Sequence, residues 1–388
     1  MGIKGLLPLL TPVSKRCHLS TFAGLKVAID GFVWLHRVSF RYPIEIIKDP
    51  TTKKILPYLM SRILSVKKCG LTPVVVFDGQ ALPAKLMTNQ KRQEERRESL
   101  LIAQQLEKER RLPEAFEYYQ KAVSITSATV YTWIKELRNE CIEYIVSPYE
   151  ADAQLAYLAR SGYVDCVLTE DSDLIAYRTP LVLYKLDDSL QVTSIRYQDV
   201  LNFLKLTPDN FTSLCIFGGC DYSPSITNLA LKRALKLLLE YENPTNVIIA
   251  ARSDQKYTVP AKFEDMFNMA FKTFLCARAY DPRTEKLVFL SDPPEEHSFL
   301  GSDIAPDILK QLVKGEIDTV TLGPFELPNS SSSVSPYFKT NSAPKIESVK
   351  VGEPSQSKYF KCTRLTERPF QISFNATSYL QAIKLTVN

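Results

Sequence analysis

The sequence predicts an α/β fold built on a parallel sheet, interrupted by one helical insertion and followed by a helix-rich region. Three observations carry that prediction. Four short β-branched apolar runs end at carboxylates, helical periodicity fills the segments between them, and the runs are continuous instead of alternating, as strands buried on both faces require. The runs are residues 25–30, 73–78, 143–150 and 165–171, ending at Asp30, Asp78, Glu150 and Asp171.

Taken in chain order, the first two runs lead into Asp30-Gly31 and Asp78-Gly79. Residues 85–128 then read as a helical insertion of mixed charge, with eight bases and five acids in residues 85–111. Val130, Ile134, Leu137 and Cys141 recur at helical spacing before the third run. That run leads to Glu150 and a helix over residues 151–160, stopped near Gly162. Beyond Asp221 the pattern is α-rich, with helices over residues 231–241 and 263–278. Near Phe325 the composition turns to Ser, Lys and Pro, so residues 325–388 read as a mostly disordered tail. The expected organisation is a core in two parts (1–84 and 129–220), the insertion (85–128), a helical region (221–292), an extension of the core (293–324) and the tail (325–388).

Composition sets further bounds. With 388 residues, 45% hydrophobic and 23% charged, the chain has material for two to three domains and is neither collagen-like nor wholly disordered. No apolar run approaches the roughly 20 residues of a membrane helix, and residues 1–10 lack the apolar core of a signal peptide, so an intracellular protein is expected. The eight cysteines (Cys17, Cys69, Cys141, Cys166, Cys215, Cys220, Cys276, Cys362) form no Cys-x-x-Cys and read as reduced core residues. Three dispersed histidines (His18, His36, His297) do not make a zinc site, so a metal here is held by oxygen, which points to Mg²⁺, Mn²⁺ or Ca²⁺. The net charge of +5 favours a polyanionic partner once carboxylates engaged with metal are discounted.

In an open parallel sheet, ligands bind at the carboxyl ends of strands, so Asp30, Asp78, Glu150 and Asp171 converge on one edge. Two of these acids have a second carboxylate two residues on, Asp152 and Asp173; Glu150 and Asp152 share a site only if Glu150 starts its helix. Asp221, after Gly218-Gly219-Cys220, completes a set of seven. Any one of them alone reads as a solvated turn. An EF-hand is excluded, because counting from Asp171 puts Ala176 and Val182 where Gly and Glu belong. Seven like charges in one place need cations, and two divalent ions ~4 Å apart suit attack of water on a phosphodiester.

The residues 1–7, 28–36, 76–79, 149–155, 169–174 and 218–222 resemble the XPG/flap-endonuclease family of structure-specific 5′ nucleases, and within it the eukaryotic exonuclease branch, from Met1 to about Asp292. The resemblance implies a PIN-like nuclease core with a helical arch and a helix-turn-helix type duplex-binding region. It implies a Mg²⁺-dependent enzyme, with Mn²⁺ able to substitute, that degrades double-stranded DNA from 5′ ends or nicks and cuts 5′ flaps. It also implies DNA repair, nuclear residence and a monomer. The seven acids match the family's metal ligands. Lys85 and Arg92 match arch residues that contact the scissile phosphate; His36 matches a residue packed on a base at the DNA bend, and Gly2 a small residue beside the active site. Read without the resemblance, Lys91, Arg92, Arg96 and Arg97 form a solvated helix face with Glu94, Glu95 and Glu98. A non-catalytic DNA-binding repair scaffold of the same fold, a flap endonuclease of replication, and a Toprim-like or phosphatase enzyme are the alternatives.

One stretch departs from the pattern. The family has a Gly-x-Gly turn that holds DNA phosphate and K⁺, whereas this chain has Asn228 and Ala230, of which only Asn tolerates left-handed backbone well. Lys232, Arg233 and Lys236 still place positive charge on the following helix for DNA binding. In the tail, Ser357-Lys358-Tyr359-Phe360 resembles an element that docks on a MutL-homologue mismatch-repair protein.

Overall fold

A computed structural model describes residues 2–325. Its centre is a seven-stranded sheet formed by β1 (Lys15–His18), β2 (Lys26–Asp30), β3 (Thr72–Phe77), β4 (Glu143–Val146), β5 (Cys166–Thr169), β6 (Leu181–Tyr184) and β7 (Gln191–Arg196), in the order β1-β7-β6-β5-β2-β3-β4. The four strands read from the sequence are all present, and β2 pairs in parallel with β3 on one side and β5 on the other. β6 extends the parallel set, while β7 and β1 close that side antiparallel.

Continuous apolar strands divide their side chains between two cores. Ala28, Val74, Val76, Val167 and Val182 face one cluster, and Val27, Ile29, Val75, Phe77, Cys166 and Leu168 face the other. This period-two division explains why the runs show no polar alternation. Phe77 is fully buried, with its ring edge-on to Trp133 at 5.2 Å. The chain runs from β2 through β3 to β4 on one side and then returns to β5 on the other side of β2, so the carboxyl ends of β2 and β5 border a topological switch point.

The insertion is two helices, Leu86–Lys108 and Leu112–Ala122. They pack together through Ala103, Leu106, Ala115 and Tyr119, and onto Ile44 and Ile47 of the core. After the sheet come helices Pro208–Phe217, Leu231–Tyr241, Pro244–Ser253 and Phe263–Cys276, then a small hairpin of β8 (Arg278–Asp281) and β9 (Lys286–Phe289).

Several expectations need correction. The third run stops being a strand at Val146: Ser147 still donates its N–H and hydroxyl to the Phe77 carbonyl, but Pro148 after it has no N–H with which to continue the ladder. Cys141 lies beyond the helix Ser127–Asn139, exposed at a positive φ of 51°, and Cys17 and Cys220 are only half-buried. The last long helix ends at Cys276, and Arg278 begins β8. Phe325, assigned to the tail, stacks on Tyr131 with ring centres 4.3 Å apart. The remainder of that tail, including Cys362 and Ser357-Lys358-Tyr359-Phe360, lies outside the described residues.

Because Phe77 fills the junction between strand and helix, Phe77→Ala should lower unfolding free energy by about 3–5 kcal/mol. The check is a fall in the urea midpoint at unchanged m-value.

Candidate active site

The site is assembled from strand ends and helix starts. Asp30 follows β2 as the N-cap of the helix Gly31–Arg41; its Oδ1 accepts the Val33 N–H at 3.2 Å and its Oδ2 the Thr169 hydroxyl at 2.9 Å. Asp78 follows β3, and its Oδ1 accepts the Ala151 N–H at 2.7 Å. That bond ties β3 to the start of the helix Ala151–Arg160, where Glu150 is the N-cap and Asp152 lies in the first turn. Glu150 therefore does start its helix, as sharing a site with Asp152 requires. The approach is close: a Cβ on Gly79 would overlap the Ser147 carbonyl oxygen. Asp171 Oδ1 accepts the Asp173 N–H at 3.0 Å.

The insertion reaches into this acidic set. Lys85 Nζ lies 2.5 Å from Glu150 Oε2 and 3.1 Å from Asp221 Oδ2. Arg92 donates to Asp221 Oδ1 at 2.7 Å, and the Thr88 hydroxyl to the Asp221 carbonyl at 2.8 Å. Asp221, distant in sequence, thus joins the strand-end acids through cations of the insertion. Gly2, at φ 90°, sits so close that a Cβ there would overlap Asp171 Oδ1 and Ser172 Oγ.

The electrostatics follow from crowding. Burial, then the nearby Asp171 charge, pushes Asp30 up to about 6 despite the Thr169 hydrogen bond. Burial and the Glu150 charge raise Asp78 to about 7, with Lys85 opposing them. Asp152 and Asp173 stand well above the ordinary carboxylate range, through burial first and the Asp171 charge second. Burial works against the Lys85 charge, but Glu150 and then Asp221 outweigh it and hold the ammonium well above its usual value. His36 is lowered to about 4 by burial and by Arg96 and Arg92, so it is neutral near neutral pH.

The donor set fits hard divalent cations: seven carboxylates, with Asp173 only 6% exposed and its Oδ1 buried without a hydrogen-bond partner. Among the described residues no three His, Cys, Asp or Glu side chains are drawn together tightly enough to grip an ion as they stand. Lys85 and Arg92 are the groups that neutralise Glu150 and Asp221 here. A cavity of about 620 Å³ opens beside Asp78 and Glu150, lined also by His36, Lys85, Asn89 and Arg92. Lys232, Arg233 and Lys236 are placed apart, on the exposed face of the helix Leu231–Tyr241 opposite Ala234 and Leu238.

Sequence reading missed the polar residues around the acids: Thr169, which bonds the Asp30 carboxylate, Thr88 and Ser172, which bond backbone groups of Asp221 and Ile3, and Arg37, which pairs with Glu170. Thr169, Glu170 and Ser172 lie inside the motif of residues 169–174, but nothing in it shows which partners they take.

Residues 1–99 match the XPG N-terminal domain and residues 141–221 the XPG I-region. The chain is 36% identical over 340 residues to exodeoxyribonuclease 1 of Schizosaccharomyces pombe, which covers 85% of this chain and 60% of that one. It is 31% identical over 301 residues to DNA damage-inducible protein DIN7 of Saccharomyces cerevisiae, 76% of this chain and 70% of that one. It spans about half the length of several other relatives it matches. Among solved structures, the catalytic core of Rad2 in complex with DNA substrate aligns at a TM-score of 0.55 and 16% identity, over 80% of this chain and 99% of that one. That likeness is one of fold, a PIN-like α/β core.

Raised carboxylates make stability depend on pH in a definite direction. Asp30 and Asp78 titrate at about 6 and about 7 in the folded chain against 3.8 for the free group. Their stabilising contribution is full below the unfolded value and is lost as pH rises through 6 and 7. Mg²⁺ takes the ionised forms, so it should raise the melting temperature by several degrees at about pH 8 and clearly less at about pH 5.5. Differential scanning calorimetry at both values, with EDTA as control, checks this.

Proposed function

The chain belongs to the XPG family of 5′ nucleases, and from that membership we propose that it is a divalent-metal-dependent 5′-to-3′ exonuclease of double-stranded DNA that also cuts 5′ flaps. The observation that carries this reading is the gathering of seven acids and two insertion cations around the strand ends, with one carboxylate oxygen of Asp173 left unpartnered. Asp30, Asp78, Glu150, Asp152, Asp171, Asp173 and Asp221 would hold the metal. Two divalent ions, when bound, supply a lowered pKa to water and neutralise charge on the leaving oxygen.

The chain's own residues do the rest. Lys85 and Arg92 exchange their carboxylate partners for oxygens of the scissile phosphate and stabilise the charge that develops there; the planar fork of Arg92 also fixes the phosphate's orientation. His36, neutral and at the edge of the cavity, packs against a base, which a charged ring would do less well in so buried a place. Lys232, Arg233 and Lys236 hold the duplex backbone without reading sequence. A purely scaffolding role would leave so costly a gathering of acids without purpose.

At the turn before this basic helix, Asn228 takes the left-handed backbone (φ 67°), and its side-chain amide donates to the Lys256 carbonyl at 3.1 Å. Ala230 is extended at φ −69°. Asn228 thus supplies the left-handed backbone that a glycine would, while its side chain ties the loop to Lys256, so K⁺ dependence weaker than the family's is part of the proposal. Action in the nucleus, as a monomer in mismatch repair or recombination, and docking of residues 357–360 on a MutL-homologue partner are part of the same reading; those residues lie outside the described part of the chain.

Asp173→Ala should reduce release of nucleotides from 5′-labelled duplex to background while the melting temperature holds; retained turnover would contradict the assignment. Lys85→Ala should lower kcat by about 10²–10³-fold, in single-turnover assays on the same substrate. Duplex binding, followed by fluorescence anisotropy, should change little when K⁺ is replaced by Li⁺. The double variant Asn228→Gly with Ala230→Gly should acquire K⁺ dependence, and identical behaviour of the two proteins would remove this idea.

A further inference from the structure

The turn that follows β5 is wired before any ligand arrives. The Thr169 hydroxyl donates to Asp30 Oδ2 at 2.9 Å and accepts the Asp171 N–H at 3.0 Å. Glu170 is drawn away to Arg37. Asp171 Oδ1 accepts the Asp173 N–H at 3.0 Å, and Ser172 Oγ accepts the Ile3 N–H at 2.8 Å. Each side chain before Asp173 is tied down, and the turn delivers the unpartnered Oδ1 of Asp173 into the acidic set.

Within that wiring Thr169 links the carboxylate at the end of β2 to the backbone N–H of Asp171 beyond β5. β2 and β5 run parallel with Ile29 opposite Leu168, so the next residues, Asp30 and Thr169, meet at the sheet edge although 139 positions separate them. A hydroxyl both donates and accepts, which is what a single group needs to serve a carboxylate on one side and a backbone N–H on the other. Thr169 is 3% exposed, so water does not readily take over if the hydroxyl is lost. We propose that Thr169 is a positioning residue that sets the placement of Asp30 relative to Asp171, and through it the affinity of the site for divalent cations. This rests on the metal-nuclease reading above.

Valine has the shape of threonine and neither hydrogen bond, whereas serine keeps the hydroxyl. Partners that orient metal ligands are typically worth 10- to 100-fold in metal affinity, so Thr169→Val should weaken Mn²⁺ binding by about that factor. Thr169→Ser should restore most of it. The measurement is titration of the full chain with Mn²⁺, following the free ion by electron paramagnetic resonance, with thermal melting to confirm folding. Hydrolysis of 5′-labelled duplex by Thr169→Val should recover as Mn²⁺ is raised. Combining Thr169→Val with Asp30→Asn should cost little more than Asp30→Asn alone, since the hydroxyl acts through that carboxylate.

Parental Mn²⁺ affinity in Thr169→Val would overturn the proposal. So would equal weakening in the Val and Ser variants, or full additivity with Asp30→Asn, because either would mean a packing role. Failure of the nuclease reading looks different: Asp173→Ala would keep cleaving DNA, whatever Thr169 does to Mn²⁺ binding.

Discussion

Seven carboxylates brought to one edge of a sheet repel one another, and burial raises the cost of each charge. The rest of the site answers that constraint. Asp30 and Asp78 accept backbone N–H groups at helix starts, where the partial positive charge of the helix end favours an anion. Lys85 and Arg92 reach in from the insertion to Glu150 and Asp221. These partners offset only part of the cost, and burial first, then the charge of Asp171, leaves Asp152 and Asp173 well above the ordinary carboxylate range. A site of this kind is poised for divalent cations, whose charge satisfies several carboxylates together.

The fold makes the crowding sustainable. Valines on both faces of β3 and the fully apolar core of β2 anchor the strand ends from below, so the acids are held by packing that does not depend on their charge. The insertion has a second attachment far from the acids, through Ile44, Ile47 and the bond from Gln120 to the Phe40 carbonyl. Its cations can therefore change partners at one end while the other end stays seated.

Much of this was legible in the chain. Asp30, Asp78 and Asp171 stand where apolar runs stop, and the reason is physical: a strand buried on both faces has room for a charge only at its end. Glu150 and Asp152 were legible as a helix start, and the helix Leu231–Tyr241 has the bounds its pattern predicts. The strands β7 and β1 leave little trace in the sequence, since β1 has no buried residue and β7 mixes buried with partly exposed positions, whereas β6 is a buried run of only four residues. The roles of Thr169 and Arg37 were hidden because their partners are defined by strand order and not by local pattern. Phe325 ends a described chain that a shift in composition had assigned to the tail, and a single stacking contact with Tyr131 is too small a signal to read from residues.

The position of a bound ion tests the central claim most directly. Crystals of the chain soaked in Mn²⁺ and measured at the manganese absorption edge would locate it by anomalous scattering. The account predicts manganese bounded by Asp30, Asp78, Glu150, Asp152, Asp171, Asp173 and Asp221, with Lys85 withdrawn from Glu150. Manganese ordered on a different face, with the contacts of Lys85 to Glu150 and Asp221 intact, would contradict it.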